Sequence, residues 1–206
     1  MNKEKSNEIL ALLRDIIKNP KPELDFKNNY ELIVAVILSA QTTDKKVNIV
    51  TKELFLKYPD YKDLMNADID DVINIIKPLG LANNKAKSII NMASSVIKDY
   101  GGILPNTLEE LVKLPGVGRK TASVVLALGF NIPAMPVDTH LHRMAIRFGY
   151  IKDGEDVLKA EEAYKKYIPE EEWIDAHHLF LLFGRYHCKA QNPECDGCKL
   201  SKYCKI

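Results

Sequence analysis

The sequence predicts an all-α protein. Apolar residues recur every three to four positions in two early segments, which is the period of an amphipathic helix. These residues are Ile9, Leu12, Leu13, Ile16 and Ile17 in the first segment and Leu32, Ile33, Val36 and Ile37 in the second. No convincing alternating pattern predicts a strand, and prolines and glycines interrupt the helical period at short intervals. We therefore expect helices joined by short connections.

Further helices follow the same period between these interruptions. They are expected at about 43–58, 69–77, 84–99, 107–113, 119–129, 139–148, 155–167 and 173–187. The segment NIPAMPVDTH has two prolines and no helical period. We expect the chain to cross there, near Pro136, from one lobe to another.

The charge balance is nearly neutral. The 206 residues carry 29 Lys and Arg against 28 Asp and Glu, a formal net charge of +1. The composition therefore gives no bulk electrostatic argument for a nucleic-acid partner, and any basic face must be local. With 46% hydrophobic residues, the chain can bury the core of one domain or of two small ones.

The N-terminus does not look like an export signal, because charges interrupt the apolar period of MNKEKSNEILALLRDI. Apolar runs such as LIVAVILSA are shorter than the roughly 20 residues that a membrane-spanning helix needs. These patterns predict a soluble intracellular protein without a membrane segment.

The segment LPGVGRKTASVVLALGF predicts a helix, a hairpin and a second helix that begins at Arg119. Gly116 and Gly118 leave backbone N–H groups unshielded, so the hairpin is suited to bind a phosphate near a positive helix end. A plain glycine cap between two packed helices explains the same two glycines. The glycines alone do not decide between these interpretations.

Arg119 and Lys120 open the second helix, where the helix dipole disfavours cations. A helix start disfavours the ammonium form and so favours a neutral, nucleophilic amine at Lys120. The alternative is a solvated surface lysine, which is the common case.

Asp138 stands just before a helix that begins near His140. An aspartate at this place accepts amide hydrogen bonds as an N-cap. The same carboxylate can support developing positive charge or relay a proton, so the two roles are compatible. His140 follows closely enough to line the same site.

All four cysteines lie in the last 19 residues, and six, two and five residues separate Cys188, Cys195, Cys198 and Cys204. Disulfides are disfavoured in a chain without an export signal. Structural zinc and an iron–sulfur cluster remain open from the spacing alone. Around these cysteines, five cations face two carboxylates, a local charge of +3 that would meet phosphates. The cations are Arg185, Lys189, Lys199, Lys202 and Lys205.

Two further segments are junctions between helices. LSAQTTD places Gln41 at the edge of an apolar helix, and PLGLANNKAKS places Leu79 and Leu81 around Gly80 in a loop. These leucines are either buried loop anchors or exposed wedges for a base stack. His177 and His178 lie in a mostly apolar helix, where hydrogen-bonded packing is expected rather than ligation.

Taken together, LPGVGRKTA, VDTH and the cysteine spacing resemble the endonuclease III family of helix-hairpin-helix DNA glycosylases over nearly the whole chain. The resemblance implies Lys120 as the nucleophile, Asp138 as its assistant and a [4Fe–4S] cluster on the four cysteines. It also implies DNA contacts at Gln41, Leu79, Leu81, Gly116, Gly118, Arg119 and His140.

The implied architecture has two lobes, a helical barrel at 22–133 that bears the hairpin and a cluster lobe made of 1–21 and 134–206. The implied activity is that of a bifunctional glycosylase and abasic-site lyase, acting as a monomer on double-stranded DNA with oxidised pyrimidines, in the cytoplasm or nucleoid of a prokaryote. Two alternatives stay open, namely a monofunctional mismatch glycosylase of the same fold and a non-catalytic DNA-binding protein with structural zinc. Because a carboxylate directly against Lys120 would favour the ammonium form, we expect the side chains of Lys120 and Asp138 to be separated.

Overall fold

A computed structural model describes residues 1–205. They form eleven α-helices and three short 3-10 helices, without a strand, so the predicted fold class is confirmed. The α-helices are α1 Lys3–Ile16, α2 Asn29–Leu38, α3 Asp44–Lys57, α4 Tyr61–Met65, α5 Ile69–Ile76, α6 Ala82–Tyr100, α7 Leu108–Leu111, α8 Arg119–Gly129, α9 Thr139–Arg147, α10 Val157–Tyr167 and α11 Trp173–Tyr186. The 3-10 helices are Lys77–Leu79, Glu170–Glu172 and Ser201–Tyr203. None of the helices in this part of the chain has both the length and the apolar character that crossing a bilayer requires.

The chain folds as two compact units. One unit, which we call the terminal unit, consists of Met1–Lys21 and Pro133–Ile206. The other, the central unit, is the continuous segment Pro22–Ile132. The helix that begins at Arg119 and the helix that Asp138 opens therefore belong to different units.

In the central unit, α2 is the buried helix. Its residues from Leu32 to Leu38 are all buried, and it packs against α8, α3 and α6. Because it is apolar on every side, α2 must be surrounded by other helices rather than lie at a surface. Its start is capped by Asn28, whose side chain accepts from the Glu31 N–H at 2.9 Å.

In the terminal unit, α1 packs against α11, and α9 packs against α10 and α11. Aromatic rings fill the space between them, with Tyr164, Phe148 and Phe180 each fully buried. Ser6 and Tyr150 share a buried hydrogen bond of 2.7 Å between their hydroxyls. Residues from both ends of the chain thus build one core.

The two adjacent histidines of α11 are part of this packing. His177 and His178 are 6% and 5% exposed, and their rings meet edge to face at 5.0 Å. Nδ1 of His178 lies 2.8 Å from the carbonyl oxygen of Ile174, one turn earlier. The prediction of hydrogen-bonded packing is confirmed for His178.

Candidate functional site

The glycine hairpin lies between α7 and α8 in the central unit. Val117 is 5% exposed and its N–H donates to the Leu114 carbonyl at 3.1 Å, which closes the turn. Gly116 has a φ of +77°, and a Cβ there would lie 2.7 Å from Cβ of Ser88. A Cβ added at Gly118 would meet nothing within 4 Å, and this glycine caps α8 without a side chain. The hairpin therefore presents open backbone at Gly118, as a phosphate contact requires.

Lys120 is the second residue of α8 and is exposed. The next residue, Thr121, is half-buried, and the residues of α8 are buried from Ala122 to Ala127. A buried amine would have excluded Lys120 as a nucleophile. The structure leaves its amine open to a ligand, and Arg119 beside it is also exposed.

Asp138 caps α9 in the terminal unit. Its Oδ1 accepts from the N–H groups of His140 at 2.8 Å and Leu141 at 2.9 Å. The cap therefore uses one carboxylate oxygen, and Oδ2 is not needed for it. Asp138 is half-buried, at the end of the buried stretch from Ala134 to Val137. The N-cap role is confirmed, and it leaves the carboxylate fixed in orientation.

His140 is held within the terminal unit by its neighbours. Its Nδ1 lies 3.3 Å from Nη2 of Arg143, and its Cβ would lie 3.2 Å from a Cβ added at Gly184. These contacts give the half-buried ring a packing role. A DNA contact by His140 stays a prediction.

Gln41 is exposed in the short loop between α2 and α3. Its φ is +55°, in the left-handed region that residues other than glycine seldom adopt. Such a conformation at an exposed polar residue is common where a side chain has a functional task.

The loop around Gly80 separates the two leucines that the sequence grouped together. Leu79 is 3% exposed, whereas Leu81 is 53% exposed. The expectation that Leu79 is open to a base stack is therefore wrong, because its side chain is a buried anchor of the loop. Leu81 keeps the exposure that a wedge needs, and its φ is +52°.

The four cysteines line one cavity of about 280 Å³ in the terminal unit. Cys188 is buried, Cys195 is exposed, and Cys198 and Cys204 lie between these extremes. None of the four is in a disulfide in the part of the chain that the structure describes. Phe148, Phe183 and Leu200 complete an apolar wall. Among residues 1–205, no three His, Cys, Asp or Glu side chains form a group placed to hold a metal ion.

Two arginines of α9 that sequence reasoning missed support Cys188. Nη1 of Arg147 donates to the Cys188 sulfur at 3.0 Å and to its carbonyl at 3.1 Å, while Nε of Arg143 donates to the same carbonyl at 3.1 Å. Burial raises the pKa of the Cys188 thiol, and the hydrogen bond from Arg147 opposes that rise. The available signal was their spacing of four residues on one helix, which puts both side chains on one face.

The basic face expected around the cysteines is smaller than the sequence count indicates. Ion pairs join Lys189 to Glu194 at 2.9 Å, Lys199 to Asp15 at 3.3 Å and Lys202 to Glu8 at 3.9 Å. Glu8 and Asp15 belong to α1, far away in sequence, so carboxylates that the local count left out pair with two of these lysines. A phosphate contact by these lysines would have to compete with these carboxylates.

Comparisons with known proteins agree over nearly the full length. Residues 34–170 match the family described as HhH-GPD superfamily base excision DNA repair protein. Endonuclease III of Bacillus subtilis is 45% identical over 196 residues, 95% of this chain and 90% of that protein. Endonuclease III of Rickettsia felis is 43% identical over 200 residues, 97% of this chain and 93% of that protein. The solved structure of a trapped endonuclease III–DNA covalent intermediate, in an estranged-adenine complex, has a TM-score of 0.96 and 41% identity, covering 100% of this chain and 96% of that chain.

The helical fold, the glycine hairpin and the matched region define a base excision DNA repair protein of the helix-hairpin-helix superfamily. Matches that extend over nearly the whole chain then narrow this class. The chain belongs to the endonuclease III family. The resemblance noted in the sequence is thereby confirmed.

Proposed function

We propose that the protein is a bifunctional DNA glycosylase and abasic-site lyase, with Lys120 as its nucleophile. The observation that carries this proposal is the exposed amine of Lys120 at the start of α8, directly after the open hairpin at Gly118. A covalent endonuclease III–DNA intermediate has been trapped in a relative of 41% identity, and such an intermediate requires a nucleophile of this kind.

The reaction begins when a damaged nucleotide leaves the duplex, so that the amine can reach C1′ of its sugar. The Lys120 nitrogen forms a bond to C1′, the bond from C1′ to the base breaks, and the base leaves with the electron pair and takes up a proton. The nitrogen then loses a proton and its lone pair forms the C1′=N bond of a Schiff base, while the C1′–O4′ bond breaks and O4′ takes up a proton, which opens the sugar ring. Loss of a C2′ proton then expels the 3′ phosphate by β-elimination, which cuts the strand.

Asp138 assists these reaction steps from its fixed position at the start of α9. Its Oδ2 is free of the cap bonds, so the carboxylate can stabilise positive charge on the sugar or carry a proton. We infer that the side chains of Asp138 and Lys120 do not pair directly, because an ion pair would hold the amine in its ammonium form.

The proposed DNA contacts belong to residues of the central unit. The hairpin with Gly116 and Gly118 binds the phosphate backbone with Arg119, while Gln41 fills the space left by the extruded base and Leu81 wedges into the stack. Damaged pyrimidines in double-stranded DNA are the proposed substrates. We place the enzyme, as a monomer, in the compartment that holds the DNA.

We also propose a [4Fe–4S] cluster on Cys188, Cys195, Cys198 and Cys204. Four sulfur donors line a cavity of about 280 Å³ with aromatic and aliphatic walls. In such a cluster each cysteine binds a different iron, so the sulfurs need not converge on one ion, and among residues 1–205 no three of them do. A single zinc ion, with Zn–S bonds of about 2.3 Å, would fill little of that space. When bound, the cluster joins four points of the C-terminal segment and so stabilises its loops.

Borohydride trapping on DNA with an abasic site tests the nucleophile. The wild-type protein should form a covalent adduct and the Lys120→Met variant should form none, because methionine has no amine. Lys113→Met is the matched control, since Lys113 is exposed on the same hairpin unit and pairs with Glu110 at 2.6 Å. An undiminished adduct with Lys120→Met contradicts the assignment, and base release by the wild type without strand cleavage points to the monofunctional alternative.

A further inference from the structure

A lysine is buried beside the loop that presents Leu81. Lys85 is 5% exposed, although lysines are almost never buried without a partner. Its Nζ donates a hydrogen bond of 3.0 Å to the carbonyl oxygen of Leu79. Burying an ammonium group is costly, so a chain that keeps one here gains something from that hydrogen bond.

The hydrogen bond joins the two sides of the loop. Leu79 ends the 3-10 helix Lys77–Leu79, and Lys85 lies in the first turns of α6. The backbone N–H of Lys85 also donates to the carbonyl of Leu81 at 3.0 Å. Lys85 therefore binds the chain on both sides of Gly80, through its side chain before the glycine and through its backbone after it.

Leu81 has an unfavourable backbone conformation that needs such support. Its φ of +52° and ψ of 31° are left-handed, a region that is unfavourable for a residue with a Cβ. It also opens α6 without a side-chain cap, and its side chain is 53% exposed. An apolar side chain held in a strained conformation and directed to solvent is typical of a functional contact.

The electrostatics suit this arrangement. The last carbonyls of a helix carry partial negative charge and lack partners within the helix, so the Leu79 oxygen is a good acceptor for an ammonium group. Burial lowers the pKa of Lys85, as expected for a cation removed from water. Lys87, two residues further along α6, is exposed to solvent.

We propose that Lys85 is a positioning residue whose hydrogen bond to the Leu79 carbonyl holds Leu81 in the exposed, left-handed conformation from which it enters the DNA base stack. The inference rests on the proposed function, because a wedge has a task only in an enzyme that extrudes a nucleotide. Lys85 touches neither the sugar nor the base, and it acts through Leu81.

The first experiment separates base extrusion from the later chemistry. In single-turnover assays, Lys85→Met should lower the rate of base release from a duplex with one thymine glycol about ten-fold, as expected for loss of a hydrogen bond from a charged donor. Strand cleavage at a preformed abasic site should fall less, because there is no base to unstack. Lys85→Arg keeps a donor and should retain most of the rate, and Lys87→Met is the exposed control and should match the wild type.

The second experiment asks whether Lys85 acts through Leu81. In a Leu81→Ala background, adding Lys85→Met should change base release by less than about two-fold, because the side chain that it positions is already gone. An equal ten-fold loss in both backgrounds would overturn the inference, as would an unaffected Lys85→Met single variant. If thermal unfolding shows that Lys85→Met does not fold, Lys85→Leu, which also lacks a donor, takes its place with the same expected outcomes.

The activity of the wild-type protein distinguishes a failure of the proposed function from a failure of the role of Lys85. A wild type that neither releases the base nor cuts the strand would refute the proposed function itself. An active wild type with a fully active Lys85→Met variant would refute only the role of Lys85.

Discussion

The guanidinium of Arg147 donates a hydrogen bond of 3.0 Å to the sulfur of Cys188, and the same nitrogen lies 2.9 Å from the carbonyl of Lys189. One side chain of α9 thus supports the first of the four cysteines and the start of the loop that follows it. This relationship links the stability of the cysteine segment to the helix that Asp138 opens.

Arg147→Met should weaken both features. The loss of charged hydrogen bonds to partly buried acceptors is expected to lower the free energy of unfolding by about 2 kcal/mol. A bound cluster should also be lost faster, because its Cys188 thiolate loses a neighbouring positive charge. Urea denaturation measures the first effect, and visible absorbance during a chelator challenge measures the second.

Arg14→Met is the control for this substitution. The Arg14 side chain is 44% exposed and pairs with Glu172 and Asp175 at the surface, where ion pairs contribute little. Equal losses of unfolding free energy and of bound cluster in the two variants would show that the contact with Cys188 contributes no more than a surface ion pair.

Two substitutions of Asp138 distinguish its role as a helix cap from its role in base release. Asparagine caps helices as well as aspartate does, so Asp138→Asn should retain stability while base release falls about 100-fold or more. Asp138→Ala should lose the same activity and also about 1 kcal/mol of unfolding free energy. Single-turnover base release and urea denaturation measure the pair, and full activity in Asp138→Asn would mean that the carboxylate acts only as a cap.

The two hairpin glycines should respond differently. Gly116→Ala places a Cβ in a left-handed residue and against Ser88, so it should lower stability by roughly 1–3 kcal/mol. Gly118→Ser has open space and a good capping side chain, so stability should hold. Its hydroxyl would compete with a phosphate for the first amides of α8, and DNA affinity should fall about ten-fold, or about 1.4 kcal/mol.

Fluorescence anisotropy with a labelled duplex at fixed salt measures the affinity of each hairpin variant, beside urea denaturation. Unchanged DNA affinity in a stable Gly118→Ser variant would contradict a phosphate contact at this backbone.

Stability should fall in alkaline solution, in part through Tyr58. Burial, and then the hydrogen bond that its hydroxyl donates to Asp71 at 2.5 Å, raise the pKa of Tyr58 from 10.0 to about 12. The unfolded chain therefore loses this proton first, and the contribution is lost as pH rises from 10 to 12. Tyr58→Phe should reduce the slope of unfolding free energy against pH in that window by the equivalent of one proton. Parallel curves for the two proteins would contradict this assignment.

The local sequence pattern predicted a helix well where glycine or proline marks its ends. The bounds of α8 agree with the expected 119–129, because Gly118 precedes its apolar period and the period ends before Pro133. The helix α4, Tyr61–Met65, was missed, since five residues are too short to show a helical period.

Features that depend on tertiary packing could not be predicted from the sequence. Leu79 and Leu81 are the same residue type two positions apart, and only the turn at Gly80 makes one an anchor and the other exposed. The pairing of Lys199 with Asp15 joins residues 184 positions apart, so a local charge count overstated the basic face. Lys85 carries no motif, and its burial becomes visible only once α6 is packed.

The composition of the terminal unit affects the order in which the chain can fold during synthesis. Its residues come from both ends of the sequence, and the hydroxyl of Tyr203 donates to the carboxylate of Glu8. During synthesis, the central unit is complete once Ile132 has left the ribosome, whereas α1 must wait for α11 before it finds its packing partner. Any chain released before Cys188 is added would carry the hairpin amine but no thiol.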